Sequence, residues 1–283
     1  MDNSTILTIM DIWSEIVDTL AHRLILFTPL LYKKDDVEKD IIPHPLAISV
    51  LFAFDDRHFL VTCAHVFKGT KPEDVGVVIG NTFCTIGGQL HHGPGEDDDA
   101  IDVAILEIAQ DMSDTISKEY RFVDLKKINC DHAVSEKARY LIAGYPGSWN
   151  KPTRRTRRQD LFVFLSKATP VTLYAKLNLS EHTNLLIQYQ RRKIKDFDSL
   201  RIVKGPDPHG LSGCGLWHLP RIPSLSEIGK GIFSDVEAEL AGIMTEYRPN
   251  SAVFVSTRIH IVTELLRVHL NLDLPPSNIC RLS

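Results

Sequence analysis

Ser212 lies in the stretch Gly205-Pro206-Asp207-Pro208-His209-Gly210-Leu211-Ser212-Gly213-Cys214-Gly215-Leu216-Trp217, with Gly210 two residues before it and Gly213 directly after. Glycine admits backbone conformations closed to other residues. A nucleophile loop needs them, because backbone N–H groups must turn inward beside the hydroxyl. Taken alone, such a stretch is an ordinary turn. A serine hydroxyl is a weak nucleophile at neutral pH and needs a base within reach, itself oriented by a third group. Histidine suits the base because its pKa lies near neutrality. Of the 12 histidines, His65 follows the apolar run Phe59-Leu60-Val61-Thr62-Cys63-Ala64 and precedes Val66-Phe67, so a strand end would aim it. Asp102 follows the acidic residues Glu96 to Asp99, of which Asp97 to Asp99 read as a solvated run, and opens the strand Val103-Ala104-Ile105-Leu106. A carboxylate at the mouth of an apolar strand needs a partner, and a histidine N–H supplies one.

The elements that must hold these residues are legible as changes of period. Ile9, Ile12, Trp13, Ile16, Val17 and Leu20 recur at helical spacing and predict an amphipathic N-terminal helix. It either packs on the main body or docks a regulatory protein partner. Lys33 to Asp40 reads as a charged linker. From Ala47 the period becomes two: Ile48, Val50, Phe52 and Phe54 share a strand face, Asp55-Asp56 turns, and Phe59 to Thr62 returns. Val75–Ile79, Phe83–Ile86 and Val103–Ile108 are further short strands. A second set comprises Tyr140–Ala143, ending at the turn Gly144-Tyr145-Pro146-Gly147, then Leu161–Leu165, Val171–Tyr174, Leu185–Tyr189, Leu240–Met244 and Val253–Val255. Ile259, Val262, Leu265, Leu266 and Leu270 predict a closing helix before Pro275-Pro276. The expected division is a helical extension over 1–40, a first β-unit over 41–130, and a second β-unit with the closing helix over 131–283.

Composition sets the class. The 283 residues are 43% hydrophobic and 24% charged, which excludes global disorder. A net charge of −4 gives no electrostatic reason for nucleic acid as the main partner. Five cysteines without a C-x-x-C pair indicate neither a disulfide framework nor a zinc knuckle, and fit a reducing compartment, the cytoplasm. No basic leader precedes Arg23, and Leu24 to Tyr32 is too short for a bilayer, so no membrane partner is expected.

Thr62-Cys63-Ala64-His65-Val66 resembles the T-A-A-H motif of the trypsin-like (chymotrypsin-fold) serine proteases. Asp102-Val103-Ala104-Ile105-Leu106 resembles their D-[IV]-A-[VL]-L motif, and Gly210-Leu211-Ser212-Gly213 is similar to their G-x-S-G motif. The order His, Asp, Ser matches, and the likeness covers roughly Ala47 to Leu270. It implies a mainly β fold of two six-stranded-type antiparallel β-barrels with helices at both ends. It also implies a serine endopeptidase acting on protein or peptide substrates, without metal or cofactor. Ser212 would be the nucleophile, His65 the base and Asp102 its orienting group, with the N–H groups of Gly210 and Ser212 as the oxyanion hole. The strand Leu240 to Thr245, with Met244 and Thr245, would wall the substrate pocket. The pocket floor falls at Pro206, which favours an uncharged side chain, while adjacent Asp207 would attract a basic one.

Departures from the family pattern are specific. Leu211 stands where secreted members carry the aspartate that receives a new N-terminal ammonium on activation, so no such activation is expected. Cys214 reads as a small buried residue; a cysteine nucleophile, as in viral relatives with G-x-C-G, would need glycine at position 212. The competing function is a catalytically latent or inactive trypsin-like domain serving as a binding or sensing module. Three weaker signals are Arg154 to Arg158, read as a solvated basic loop, the pair His91-His92, and an α/β-hydrolase reading through Ser212, Asp235 or Glu237, and His260. The last lacks both the G-x-S-x-G elbow and strand–helix alternation.

Overall fold

Apolar residues fill both faces of the strands that start the first half of the chain. In the computed structural model, the described residues are 3–34, 44–92, 101–135, 137–150, 160–195, 201–223, 227 and 236–279. Strands β1 (Leu30–Lys33), β2 (His44–Ile48), β3 (Val50–Phe54) and β4 (Arg57–Thr62) are followed by β5 (Val75–Ile79), β6 (Thr82–Thr85), β7 (Gln89–His92) and β8 (Ala104–Ile108). They form two four-stranded antiparallel sheets, β2-β1-β5-β6 and β3-β4-β8-β7. Ser49 joins β2 directly to β3 and ties the bend down by donating to the Pro29 carbonyl from its backbone N–H at 3.1 Å and its hydroxyl at 3.2 Å. Asp55 makes the β3–β4 turn with φ +53°, a left-handed conformation that Asp tolerates.

Val50, Phe52, Phe54, Phe59, Val61 and Ile105 face a core shared between the two halves, whereas Leu51, Leu60 and Leu106 point into the first barrel. Burial on both faces is why Phe59 to Val61 and Val103 to Leu106 read as unbroken apolar runs. Ile48 leaves this face. The bend at Ser49 sends it into the core of the second half.

That second half is one six-stranded sheet in the order β10-β9-β14-β15-β16-β11. Its strands are β9 (Arg139–Gly144), β10 (Phe162–Lys167), β11 (Asn184–Gln188), β14 (Gly215–Leu219), β15 (Glu239–Arg248) and β16 (Val253–Arg258), with the small pair β12 (Ile194–Lys195) and β13 (Ile202–Val203) inserted. An antiparallel bridge between Ala168 and Ile187 joins the outer strands and closes the sheet on itself. Closure leaves no open edge at that seam.

The expected strand Val171–Tyr174 is a helix instead, α2 (Thr172–Leu177). Pro170 leads the turn, and Tyr174 packs on Leu186 and Val255 at the outer face of the sheet. Packing there outweighs the β-branched character of Val171 and Thr172.

Helix α1 (Asn3–Leu24) lays Ile16, Val17, Leu20 and Leu24 into the shared core beside Leu141, Trp217 and Leu240. The closing helix α3 (Ile259–His269) adds Ile261, Val262, Leu265 and Leu266 to the same core. Among the described residues, no helix is long and apolar enough to cross a membrane. Residues 35–40, Glu96 to Asp99, Arg154 to Arg158, Asp235 and Cys280 lie outside the described residues.

Candidate active site

His65 sits on the single helical turn Ala64–Phe67 that follows β4, and Asp102 lies two residues before β8. Because β4 and β8 are paired neighbours, with Thr62 opposite Ala104, both side chains reach the same end of the sheet. Asp102 grips His65 at two points. Its Oδ1 accepts the His65 backbone N–H at 2.9 Å, and its Oδ2 lies 2.5 Å from His65 Nδ1. Burial pushes the Asp102 carboxyl up. The hydrogen bonds from the His65 ring and backbone, together with the ring's charge, outweigh this and hold it below its ordinary value. An ionised carboxylate only accepts, so Nδ1 carries the proton, and whenever the ring holds only that proton Nε2 is its acceptor.

Ser212 is seated by both halves of the molecule. Its carbonyl accepts the Ile48 N–H at 2.9 Å, and the next residue, Gly213, donates to the Met244 carbonyl at 2.7 Å. Gly213 has φ +87°, and a Cβ there would stand 1.9 Å from the Ile48 carbonyl oxygen and 2.3 Å from Thr62 Oγ1. Only glycine fits. The Ser212 hydroxyl donates to the Thr245 carbonyl at 3.1 Å rather than to His65.

The turn before the serine decides where its N–H groups point. Leu211 N–H donates to the Pro208 carbonyl at 3.0 Å, and Gly210 takes φ +92° while His209 keeps a negative φ. That is a type II turn with glycine at its third position. The His209 carbonyl accepts the Gly147 N–H at 2.8 Å. In a trans peptide the Gly210 N–H then points the opposite way, and among the described residues neither it nor the Ser212 N–H has a backbone partner. Leu211 is fully buried against the Ile48 and Gly144 side of the second core.

His65, Asp102, Ser212, Met244, Thr245 and Asp207 all line one cleft of about 1070 Å³. Pro206 is buried off that cleft, with its carbonyl capped by Tyr189 Oη at 2.9 Å. Asp207 is paired with Arg191 at 2.9 Å. Cys214 is fully buried, and desolvation pushes its thiol up to about 12. A thiolate nucleophile there is therefore excluded at neutral pH.

Cys63 Sγ, His65 Nδ1 and an Asp102 oxygen lie within 4.8 Å of one another, a spacing a metal ion can use. The chemistry of this donor set argues against it. His65 and Asp102 are bonded to each other, and the Cys63 thiol donates to the Met244 carbonyl at 3.2 Å. Burial raises the Cys63 thiol well above its ordinary value. His91 and His92 belong to no such group among the described residues.

Three features of the site escape sequence reading: the Gly147 bond to His209, the Arg191 bond to Asp207, and the ring of Tyr189 beneath Pro206. Only Gly147 had a local signal, as part of the turn Gly144-Tyr145-Pro146-Gly147.

No protein-family model matches the chain, and no curated protein matches it by sequence. Solved structures do. The scabies mite inactivated protease paralogue S-I1 superposes over 88% of this chain and 95% of its own, with a TM-score of 0.54 and 13% identity. GrC, granzyme C, superposes over 87% and 94%, with a TM-score of 0.52 and 13% identity. The fold is that of the chymotrypsin-like proteases. At this identity the likeness concerns the fold alone, and one of the two neighbours is named as inactivated.

Proposed function

We propose that the chain is a serine endopeptidase working through His65, Asp102 and Ser212. The observation that carries this reading is the two-point grip of Asp102 on His65, which leaves the basic Nε2 in the same cleft as Ser212. Beyond Met244 the β14 side of β15 has no backbone partner among the described residues, and Thr245 to Tyr247 lie along the cleft. A substrate strand adds to that edge, and its backbone N–H groups seek the Thr245 carbonyl. This carbonyl is the one that holds the Ser212 hydroxyl, so substrate engagement frees the hydroxyl to turn toward His65. The exchange costs about 1 kcal/mol at most, because one hydrogen bond replaces another.

Ser212 Oγ then attacks the substrate carbonyl carbon while His65 Nε2 takes the proton. The oxyanion receives the N–H groups of Gly210 and Ser212, each typically worth about 3–4 kcal/mol of barrier. His65 returns its proton to the leaving amine, leaving an acyl-enzyme. Water activated by His65 releases the acid and restores Ser212. Asp102 keeps the imidazole in the working tautomer and stabilises its charged form. Leu211 is seated by apolar packing, so the turn needs no new ammonium group to order it.

The second reading is a latent or inactive module for binding or sensing. The Ser212 bond to Thr245 in place of His65 favours it. Labelling with a fluorophosphonate separates the two. Labelling of wild type and Cys214→Ala, lost only in Ser212→Ala, supports the enzyme. A folded wild type that does not label points to the latent module.

A further inference from the structure

The residue whose carbonyl Ser212 attacks must send its side chain somewhere. With its oxygen at the Gly210 N–H and its backbone along β15, that side chain enters the space between residues 205–209 and Met244 to Tyr247. Its depth, beneath the open cleft lined by Asp207 to His209 and Met244 to Tyr247, is already occupied. Tyr189 is fully buried there, its Oη donating to the Pro206 carbonyl at 2.9 Å. Its ring stacks on Phe254 at 4.2 Å and meets the edge of Tyr247 at 5.3 Å. The packing is tight enough that a Cβ on Gly205 would stand 2.7 Å from Tyr189 Oη. Phe164 closes the far side of Tyr189 at 5.0 Å.

Charge in this region is matched as well. Asp207 faces the cleft, but Arg191 donates to it from Nη1 at 2.9 Å and anchors itself on the Gly205 carbonyl through Nε at 3.1 Å. A basic substrate side chain would have to displace Arg191, and an acidic one would have to displace Asp207.

We propose that the site accepts only a small uncharged residue, glycine, alanine or serine, on the acyl side of the bond it cleaves. The Tyr189–Phe254–Tyr247 stack sets the size limit, and the Arg191–Asp207 pair sets the charge limit. This proposal rests on Ser212 being the nucleophile.

The test uses the full chain and peptidyl diphenyl phosphonates identical except at the residue next to phosphorus: alanine, leucine, phenylalanine, lysine or glutamate. Rates of covalent labelling of Ser212 are compared. Alanine is expected to label fastest, with every other member slower by about tenfold or more, since one unaccommodated methylene alone costs about 10–200-fold. Tyr247→Ala is expected to raise the leucine-to-alanine ratio about tenfold. Arg191→Met, which leaves Asp207 unmatched, is expected to raise the lysine-to-alanine ratio. Leucine, phenylalanine, lysine or glutamate labelling wild type as fast as alanine overturns the proposal. An unchanged leucine-to-alanine ratio in Tyr247→Ala overturns the role of the stack, and an unchanged lysine-to-alanine ratio in Arg191→Met that of the pair. Labelling by a small fluorophosphonate without labelling by the alanine phosphonate overturns the proposal but leaves the nucleophile standing. Absence of all labelling in folded protein overturns the nucleophile, and the proposal with it.

Discussion

Gly147→Pro removes one hydrogen atom of consequence. The Gly147 N–H holds the His209 carbonyl at 2.8 Å, and through that rigid peptide it sets the direction of the Gly210 N–H. The turn type at position 147 suits proline. Gly147 is the second residue of the turn closed by the Trp149 N–H on the Pro146 carbonyl at 3.0 Å, and it keeps a negative φ. Proline is favoured at that turn position. The ring Cδ takes the place of the N–H hydrogen and points at the His209 oxygen, which lies 2.8 Å from the nitrogen, so the 209–210 peptide must move away. The lost bond alone is worth about 1 kcal/mol, roughly fivefold in rate. If the 209–210 peptide then turns over, as between type II and type I turns, one oxyanion donor disappears and the loss grows to about 10²–10³-fold. The expected result is a fall in kcat of about fivefold to 10³-fold with little change in KM and a lowered melting temperature. Steady-state kinetics on an alanine peptide ester, alongside thermal denaturation, reads all three. Wild-type kcat in a folded Gly147→Pro protein would refute the role given to this peptide.

Gly213→Ala is expected to cost more than about 3 kcal/mol, because its methyl group meets the Ile48 carbonyl oxygen at 1.9 Å and the positive φ disfavours it. Urea denaturation measures this. Leu211→Asp places an unpaired carboxylate where Leu211 is fully buried, at an expected cost of about 3–5 kcal/mol. It should not create activation by N-terminal processing, which activity before and after limited proteolysis would check. Burial holds His132 down to about 3 and His260 down to about 4, so between these values and 6.5 the unfolded chain binds more protons than the folded one. Stability is therefore full above pH 6.5 and falls as pH drops, by up to about 1.4 kcal/mol per unit for each histidine. Urea midpoints from pH 7 to 4 should decline accordingly, with a shallower slope in His260→Leu.

What the sequence discloses follows from how far each constraint reaches along the chain. The runs Phe59 to Ala64 and Val103 to Ile108 are plain because both faces of β4 and β8 are buried, and the candidates at their ends inherit that clarity. Gly213 is legible because no other residue fits its φ. The helix at Thr172 is not, since a face that β11 forms with the distant strand β16 decides it. The ring of Tyr189 is hidden for the same reason. Its partners Pro206, Tyr247 and Phe254 come from separate segments, and no local period marks them. Asp207 looks like a free charge until Arg191 folds against it.

The two-sided seating of Ser212 also fixes when the site can exist. Its supports are the Ile48 N–H, made early, and the Met244 carbonyl, on a strand that is itself held by β16 ending at Arg258. A growing chain that has just passed residue 212 carries the hydroxyl but has no seat for it. The site forms only once residue 258 has left the ribosome and the last two strands have paired. For the nucleophile proposed above, the order of synthesis would act as a safety catch, keeping the hydroxyl unarmed while the least folded polypeptide nearby is the molecule's own.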